Sequence, residues 1–286
     1  MKMPTFYNQA TLTYNNTSTN SNIVQGEYVE TISACKTALT GDYRHGDNVC
    51  FAVSIVNSGC TPCSGLHITD DLGAYTCSGS EVTPLTYIEG SLKCYLNGVL
   101  QDAPEVNAGP PLCFSGIELP AESNLLLVYS ASVNCYAPLG RSASILNTAQ
   151  IEGEALGSCV TAQATIRAAS GLQLSISKAI CPAKVMENCP VTYTLTIINN
   201  GSSAAVATDE VVVSDMFDPV LDISRVSFNG SAWTQGVEYS YDEATGAFST
   251  TPTFITVPAA SYAQDGNSGV WHVTPGISTL VICGTV

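Results

Sequence analysis

Along this chain, apolar and polar residues alternate in short stretches that stop at turns. Val53-Ser-Ile-Val-Asn57-Ser-Gly59 and Leu195-Thr-Ile-Ile-Asn199-Asn-Gly201 both end on a Gly turn. A period of two belongs to a strand with one face buried and one face in water. The longest apolar runs, such as Leu125 to Tyr129, have strand length. None approaches the roughly 18 apolar residues of a membrane-spanning helix. The pattern predicts an all-β protein.

The stretches repeat. Ser33-Ala-Cys-Lys36-Thr-Ala aligns with Ser175-Ile-Ser-Lys178-Ala-Ile, and at the same offset Asn57 falls on Asn199. His67-Ile-Thr-Asp70-Asp-Leu then matches Val213-Ser-Asp215-Met-Phe. Leu119-Pro-Ala-Glu-Ser123 matches Thr274-Pro-Gly-Ile-Ser278. Two copies of one β-domain are expected, at 28–168 and 169–286.

The copies end differently. Copy one runs on into Ser144-Ile-Leu-Asn147-Thr-Ala-Gln-Ile151 and a second short strand at 159–166. In copy two no such hairpin follows residues 280–286. Its counterpart lies at the other end of the chain. Thr5-Phe-Tyr-Asn8-Gln-Ala-Thr-Leu12 matches the 144–151 strand, with Asn8 on Asn147. Asn8 precedes Lys36 by 28 residues, and Asn147 precedes Lys178 by 31. Residues 1–27 thus read as a displaced final hairpin and linker.

An unpaired sheet edge invites a strand from elsewhere, and an isolated hairpin is marginal in water. The expectation is that domain 2 is completed by the N-terminal hairpin of a neighbouring chain. Such strand donation, repeated head to tail, builds an open filament of this protein with itself. Closure within one chain would stretch residues 15–27 back past domain 1. Thirteen residues reach at most about 45 Å. A domain of ~140 residues has a radius of gyration of roughly 14 Å, so its long axis is comparable to that reach.

Composition narrows the picture. The 286 residues include 9 Lys plus Arg against 24 Asp plus Glu, a net charge of −15. Charged residues make up 12%, about half the usual share. Nine scattered cations cannot hold a nucleic-acid backbone, which needs clustered Lys and Arg. So few charges also argue against exposed helical bundles. A hydrophobic fraction of 45% excludes intrinsic disorder.

Twelve cysteines stand at Cys35, Cys50, Cys60, Cys63, Cys77, Cys94, Cys113, Cys135, Cys159, Cys181, Cys189 and Cys283. Cys60-Thr-Pro-Cys63 could be half a zinc site, but no second pair stands at ligand spacing. His45, His67 and His272 are not arranged as ligands either. No metal and no cofactor is expected, and structural disulfides are the preferred reading. Cys35 to Cys135 make eight, and Cys159 of the second hairpin with the three of domain 2 makes four, so pairing within each group is numerically possible. Cys35 and Cys283 are the choices for bonds between subunits.

Disulfides imply an oxidising compartment, yet Met1-Lys2-Met3-Pro4-Thr5-Phe6 has no apolar segment and no cleavage site. Either the sequence starts at a mature N-terminus, or the protein leaves the cell by another route. Lysis of a sporulating mother cell is one.

These motifs resemble the conserved-repeat Ig-like domain of bacterial surface proteins, long labelled as of unknown function. Copy one shows Lys36, Asn57-Ser-Gly59, Thr69-Asp70-Asp71-Leu72, Pro120 with Ser123, and Asn147-Thr-Ala. Copy two shows Lys178, Asn199-Asn-Gly201, Ser214-Asp215 and Pro275-Gly-Ile-Ser278, and its Asn must come from Asn8-Gln-Ala. The two domains, many cysteines and displaced strand also resemble subunits of clostridial endospore appendages. The resemblance implies tandem Ig-like β-sandwich domains and a cell or spore surface location. Self-association is then the main contact, with other surface or spore-coat proteins as further partners and no membrane.

The resemblance further implies Lys–Asn isopeptide bonds assisted by an acid. Such a bond needs a desolvated, neutral Lys amine, an Asn carboxamide within reach, and a protonated carboxyl to move protons. Lys36, Asp70 and Asn147 fit those roles in domain 1. Lys178, Asp215 and Asn8 of the adjoining subunit fit them in domain 2. Asp71 is a rival for Asp70. The bland readings are exposed lysines, Asx-turn aspartates and strand-end asparagines.

An enzyme is not expected beyond this single-turnover step. There is no G-x-S-x-G, H-E-x-x-H or phosphate loop. Asp209-Glu210 and Asp242-Glu243 read as solvated turns. The alternative to a filament subunit is a monomeric adhesin or ligand-binding module, using Gly-rich loops near Trp233 and Trp271.

Overall fold

The computed structural model describes residues 5–27, 31–153, 156, 158–186 and 188–286. The chain begins with β1 (Thr5–Asn8), β2 (Thr11–Tyr14), β3 (Thr17–Asn20) and β4 (Val24–Glu27). β1 pairs with β4 and β2 with β3, making one bent hairpin. Asn15 and Asn16 close it with φ of 43° and 62°, the two left-handed residues of a type I′ turn. Gln9 and Ala10 face three residues, Ser21 to Ile23, and this extra residue bends the ribbon. The Phe6 ring lies over Gly26, where any Cβ would collide with it. Among the described residues the hairpin's strands pair only with one another, and Phe6, Tyr7, Leu12, Tyr14, Ile23 and Val24 stay exposed.

Domain 1 opens with β5 (Ile32–Ala38), β6 (Asp42–Tyr43), β7 (Asn48–Asn57) and β8 (Cys63–Asp70). Short strands follow: β9 (Tyr75–Cys77), β10 (Ser80–Val82), β11 (Leu85–Tyr87), β12 (Lys93–Leu96), β13 (Val99–Gln101) and β14 (Glu105–Asn107). β15 (Leu112–Leu119), β16 (Ser123–Val133), β17 (Ser144–Glu152) and β18 (Val160–Ala168) complete it. One sheet runs β13-β12-β16-β7-β5 and the other β14-β15-β8-β17-β18-β6. Strict alternation along β7 and β16 sends Phe51, Val53, Ile55, Leu125, Leu127 and Tyr129 inward. They meet Ile68, Phe114, Ile151 and Ile166 from the other sheet in one core. β18 closes the sandwich against β5.

Domain 2 comprises β19 (Leu174–Cys181), β20 (Pro190–Asn199), β21 (Ser214–Met216), β22 (Asp222–Phe228) and β23 (Ser231–Trp233). β24 (Tyr239–Asp242), β25 (Ala247–Thr250), β26 (Ser261–Gln264), β27 (Trp271–Thr274) and β28 (Gly276–Thr285) follow. The order β19-β20-β28-β22-β23 repeats β5-β7-β16-β12-β13, and β21-β25-β24 repeats β8-β15-β14. A second, separate core holds Leu195, Ile197, Phe217, Phe248, Ile255 and Leu280. The protein is all-β, two tandem Ig-like β-sandwich domains. Among the described residues nothing pairs with the free edge of β21, where domain 1 carries β17 and β18.

The structure shifts one sequence match. Asn57 Nδ2 donates to the Pro120 carbonyl, and Asn199 Nδ2 donates to the Pro258 carbonyl, both at 3.0 Å. Ser123 stands opposite Asn57, whereas Gly276, not Ser278, stands opposite Asn199. The counterpart of Pro120 is therefore Pro258 and not Pro275. The β26–β27 hairpin is inserted after Pro258, and that insertion displaced the alignment. The inserted hairpin reaches domain 1, where the Tyr75 hydroxyl accepts from Gln264 Nε2 at 2.8 Å and Trp271 Nε1 at 3.3 Å.

Candidate functional site

Lys36 sits on β5 opposite Val53, with its side chain wholly buried. Alternation along β5 aims it inward with Ile32, and β18 seals it from outside. Its ammonium is 2.6 Å from Asp70 Oδ2 and 5.2 Å from the Phe51 ring centre. Asp70 ends β8, fully buried, and its other oxygen accepts the Leu72 amide at 2.9 Å. Its carboxylate also accepts the Tyr129 hydroxyl. Tyr129 in turn accepts Asn147 Nδ2 at 3.3 Å. Asn147, on β17, is fully buried, and its Oδ1 has no hydrogen-bond partner.

Four buried polar side chains thus form one chain of contacts inside an apolar core. Burial pushes the Lys36 pKa below its ordinary 10.5, against the opposing pull of Asp70. Burial, then the Asp70 charge, holds the Tyr129 phenol far above its usual value. Asp71, the rival acid, is a turn residue. Its Oδ1 accepts the amides of Gly73 and Thr148, both at 2.8 Å.

Domain 2 carries the same pair in the open. Lys178 stands opposite Leu195, in the register of Lys36, and is 2.5 Å from Asp215 Oδ2. Its ammonium lies over the rings of Tyr193 and Phe217, at 4.6 and 4.9 Å. The Lys178 side chain is nevertheless 39% exposed and Asp215 16%. Leu174, Ile176 and Ile180, inward-facing by their register, are exposed along β19. Leu174, Ile176, Ile197, Val211, Val212 and Val213 line an apolar groove of about 170 Å³ beside them.

Asn8 lies on the exposed hairpin opposite Val24, as Asn147 lies opposite Ala164. Within this one chain, Asn8 does not meet Lys178 or Asp215 through any strand pairing. Sequence reasoning missed Tyr129. Its one signal was a hydroxyl-bearing side chain at an inward position of the Leu125–Tyr129 alternation.

Within this one chain the twelve cysteines are unbonded, and the strand registers place several of them. Cys35 faces Ser54, Cys50 faces Ser130, Cys77 faces Ser80, Cys113 faces Thr69 and Cys63 faces Leu119. Cys181 and Cys283 both face Thr192 from opposite sides, two strand spacings apart. That is about 10 Å, beyond disulfide reach. No paired strand brings two cysteines opposite each other. Among the described residues no cluster of His, Cys, Asp and Glu could hold a metal. Trp233 stacks on Phe228 at 5.0 Å, and Trp271 Nε1 donates to the Tyr75 hydroxyl, so both tryptophans have partners within the chain.

No protein-family model matches the chain, and no curated protein matches it. Among solved structures it is similar to BcpA, the major pilin subunit of Bacillus cereus. Identity is 10%, over 97% of this chain and 73% of that one, with a TM-score of 0.37. The full-length major pilin SpaD of Corynebacterium diphtheriae gives 11% identity, 86% of this chain and a TM-score of 0.36. The chain spans 59% of that pilin's length. The collagen-binding domain of a Staphylococcus aureus adhesin gives 10% identity, 48% of this chain, 98% of that one and a TM-score of 0.31. Likeness at this level concerns strand architecture and assigns no activity or partner.

Proposed function

We propose that this protein is a structural subunit of an extracellular or spore-surface filament. Subunits polymerise head to tail when the 5–27 hairpin of one inserts beside β21 of the next. The observation that carries this reading is the pairing of an unfilled site with an unplaced part. Domain 1 fills the site beside β8 with β17 and β18, while among the described residues nothing fills the site beside β21. Among the described residues the N-terminal hairpin joins no sheet of either domain, and its Asn8–Val24 pair stands where the sequence match puts Asn147–Ala164. Covering Leu174, Ile176 and Ile180 with Phe6, Leu12 and Val24 gives roughly 1.5–3 kcal/mol for each side chain fully buried.

Insertion in the domain 1 register puts Asn8 beside Lys178 and Asp215, as Asn147 stands by Lys36 and Asp70. In each site the neutral amine attacks the Asn carboxamide, ammonia leaves, and an isopeptide bond remains. Lys36–Asn147 joins strands within domain 1, and Lys178–Asn8 joins neighbouring subunits. The protein turns over no other substrate. This is the role that the resemblance to surface-repeat domains and endospore appendage subunits implies.

Boiling in detergent with reductant, then a gel, tests the reading. A ladder of multimers is expected, lost in Asn8→Ala and in Lys178→Ala. A chain without residues 5–27 should stay monomeric in native buffer. Filaments from that deletion would overturn donation. Monomer alone on the denaturing gel, from filaments visible beforehand, would overturn the cross-link and leave donation standing.

A further inference from the structure

We propose that Tyr129 is a catalytic residue of the domain 1 cross-link, its hydroxyl carrying a proton from Asp70 to the leaving nitrogen of Asn147. The inference rests on the cross-linking reading above and adds a residue to it. Asp70 hydrogen-bonds Lys36 and Tyr129, and among the described residues it has no hydrogen bond to Asn147. The contact to the departing nitrogen is made by Tyr129, at 3.3 Å from Asn147 Nδ2. An acid that must protonate a leaving amine needs to be within hydrogen-bond reach of it. The tyrosine meets that condition, and its neighbour Asp70 is placed to receive the Lys36 proton. Burial keeps the phenol protonated, so it enters the reaction as a neutral donor.

The step balances without any co-reactant. The Lys36 ammonium gives one proton to the Asp70 carboxylate, leaving a neutral amine. The amine nitrogen bonds to Asn147 Cγ, and the carbonyl pair moves onto Oδ1. Tyr129 passes its hydroxyl proton to Nδ2 and takes the Asp70 proton in exchange. The Cγ–Nδ2 bond breaks and ammonia leaves. The attacking nitrogen then returns one proton to Asp70. One amide bond replaces another, nothing is oxidised or reduced, and Tyr129 ends as it began.

The test uses the full chain carrying Asn8→Ala, so that only domain 1 can react. Protein is made in a short cell-free pulse, and its intact mass is followed until one ammonia has been lost. Tyr129→Phe in that background should react at least tenfold more slowly. The solvent deuterium isotope effect of the parent should shrink in Tyr129→Phe, which a packing role alone would not change. Equal rates in parent and variant would overturn the proposal and keep the cross-link. No ammonia loss in the parent would overturn both, without touching strand donation. Should Tyr129→Phe fail to fold, 3-fluorotyrosine in place of all tyrosines decides. Its hydroxyl is more acidic at nearly the same shape, so the rate should rise, and an unchanged rate would overturn the relay.

Discussion

Lys36 and Lys178 occupy one register position in two copies of a strand pair, opposite Val53 and Leu195, yet one is wholly buried and the other 39% exposed. Both have an aspartate partner within 2.6 Å, so sequence and pairing alone do not separate them. What separates them is the strand pair β17–β18, which covers β5, whereas among the described residues β19 has no equivalent cover. Desolvation makes a lysine amine neutral and nucleophilic. Under the proposed cross-linking chemistry the first site is complete within one chain, while the second needs a cover.

The pH dependence of the domain 1 reaction follows from that burial. The folded Lys36 has a pKa below 10.5, so between the two values only the unfolded chain holds the proton. In the unreacted protein this term therefore adds stability as pH rises across that window. Loss of that proton to solvent also removes the one that Lys36 must hand to Asp70. Ammonia release from the Asn8→Ala chain should therefore slow as pH rises, with its fall centred below 10.5. A rate that holds until 10.5 and falls only there would show an ordinary, undepressed amine.

Filling the groove with charge should block assembly without harming the subunit. Ile176 is 53% exposed and contributes to the apolar wall beside Val212. Ile176→Arg should change monomer stability by no more than about 0.5 kcal/mol, as surface changes usually do. Inside the docked joint the guanidinium would be buried without a partner, which is strongly unfavourable. Filaments should vanish in electron micrographs while the thermal melt stays in place. Normal filaments from Ile176→Arg would place the joint elsewhere.

Much of this fold was legible because strands declare themselves by alternation, and the repeat set Lys36 on Lys178 and Asn57 on Asn199. Those pairs do coincide in register. The Pro275 match failed because an inserted hairpin carries its own Pro-Gly turn, which local similarity cannot distinguish from the ancestral one. Disulfide connectivity was not legible for a different reason. Cysteine counts carry no information about which side chains face each other, and every paired-strand cysteine here faces something else. Tyr129 was invisible as a partner because its role depends on Asp70 and Asn147 arriving from the other sheet.

The inserted hairpin makes a prediction about the joint between the two domains. Tyr75 accepts two hydrogen bonds from β26 and β27, and donates to the Tyr136 carbonyl at 2.7 Å. A hydrogen bond of this kind contributes about 0.5–1.5 kcal/mol net. Tyr75→Phe removes all three and leaves both cores intact. Small-angle scattering should show a broader spread of interdomain distances, with each domain's melting little changed. A scattering curve identical to that of the parent would mean that other contacts, such as Trp271 N to the Cys135 carbonyl at 2.8 Å, hold the joint alone.

The two cross-links should also differ in speed. Tyr129 stands opposite Phe51, and the same register in domain 2 puts Ile282 opposite Tyr193. Domain 2 therefore has the lysine and the acid but no hydroxyl in the relay position. Its lysine must in addition be covered by an incoming hairpin that brings Asn8. In wild-type protein, the loss of one ammonia from each monomer should precede the growth of the detergent-resistant ladder. Mass spectra and gels taken from one time course measure both. A ladder that appears before the monomer mass falls would show that domain 2 needs neither the hydroxyl nor the slower desolvation, and that docking alone sets the pace.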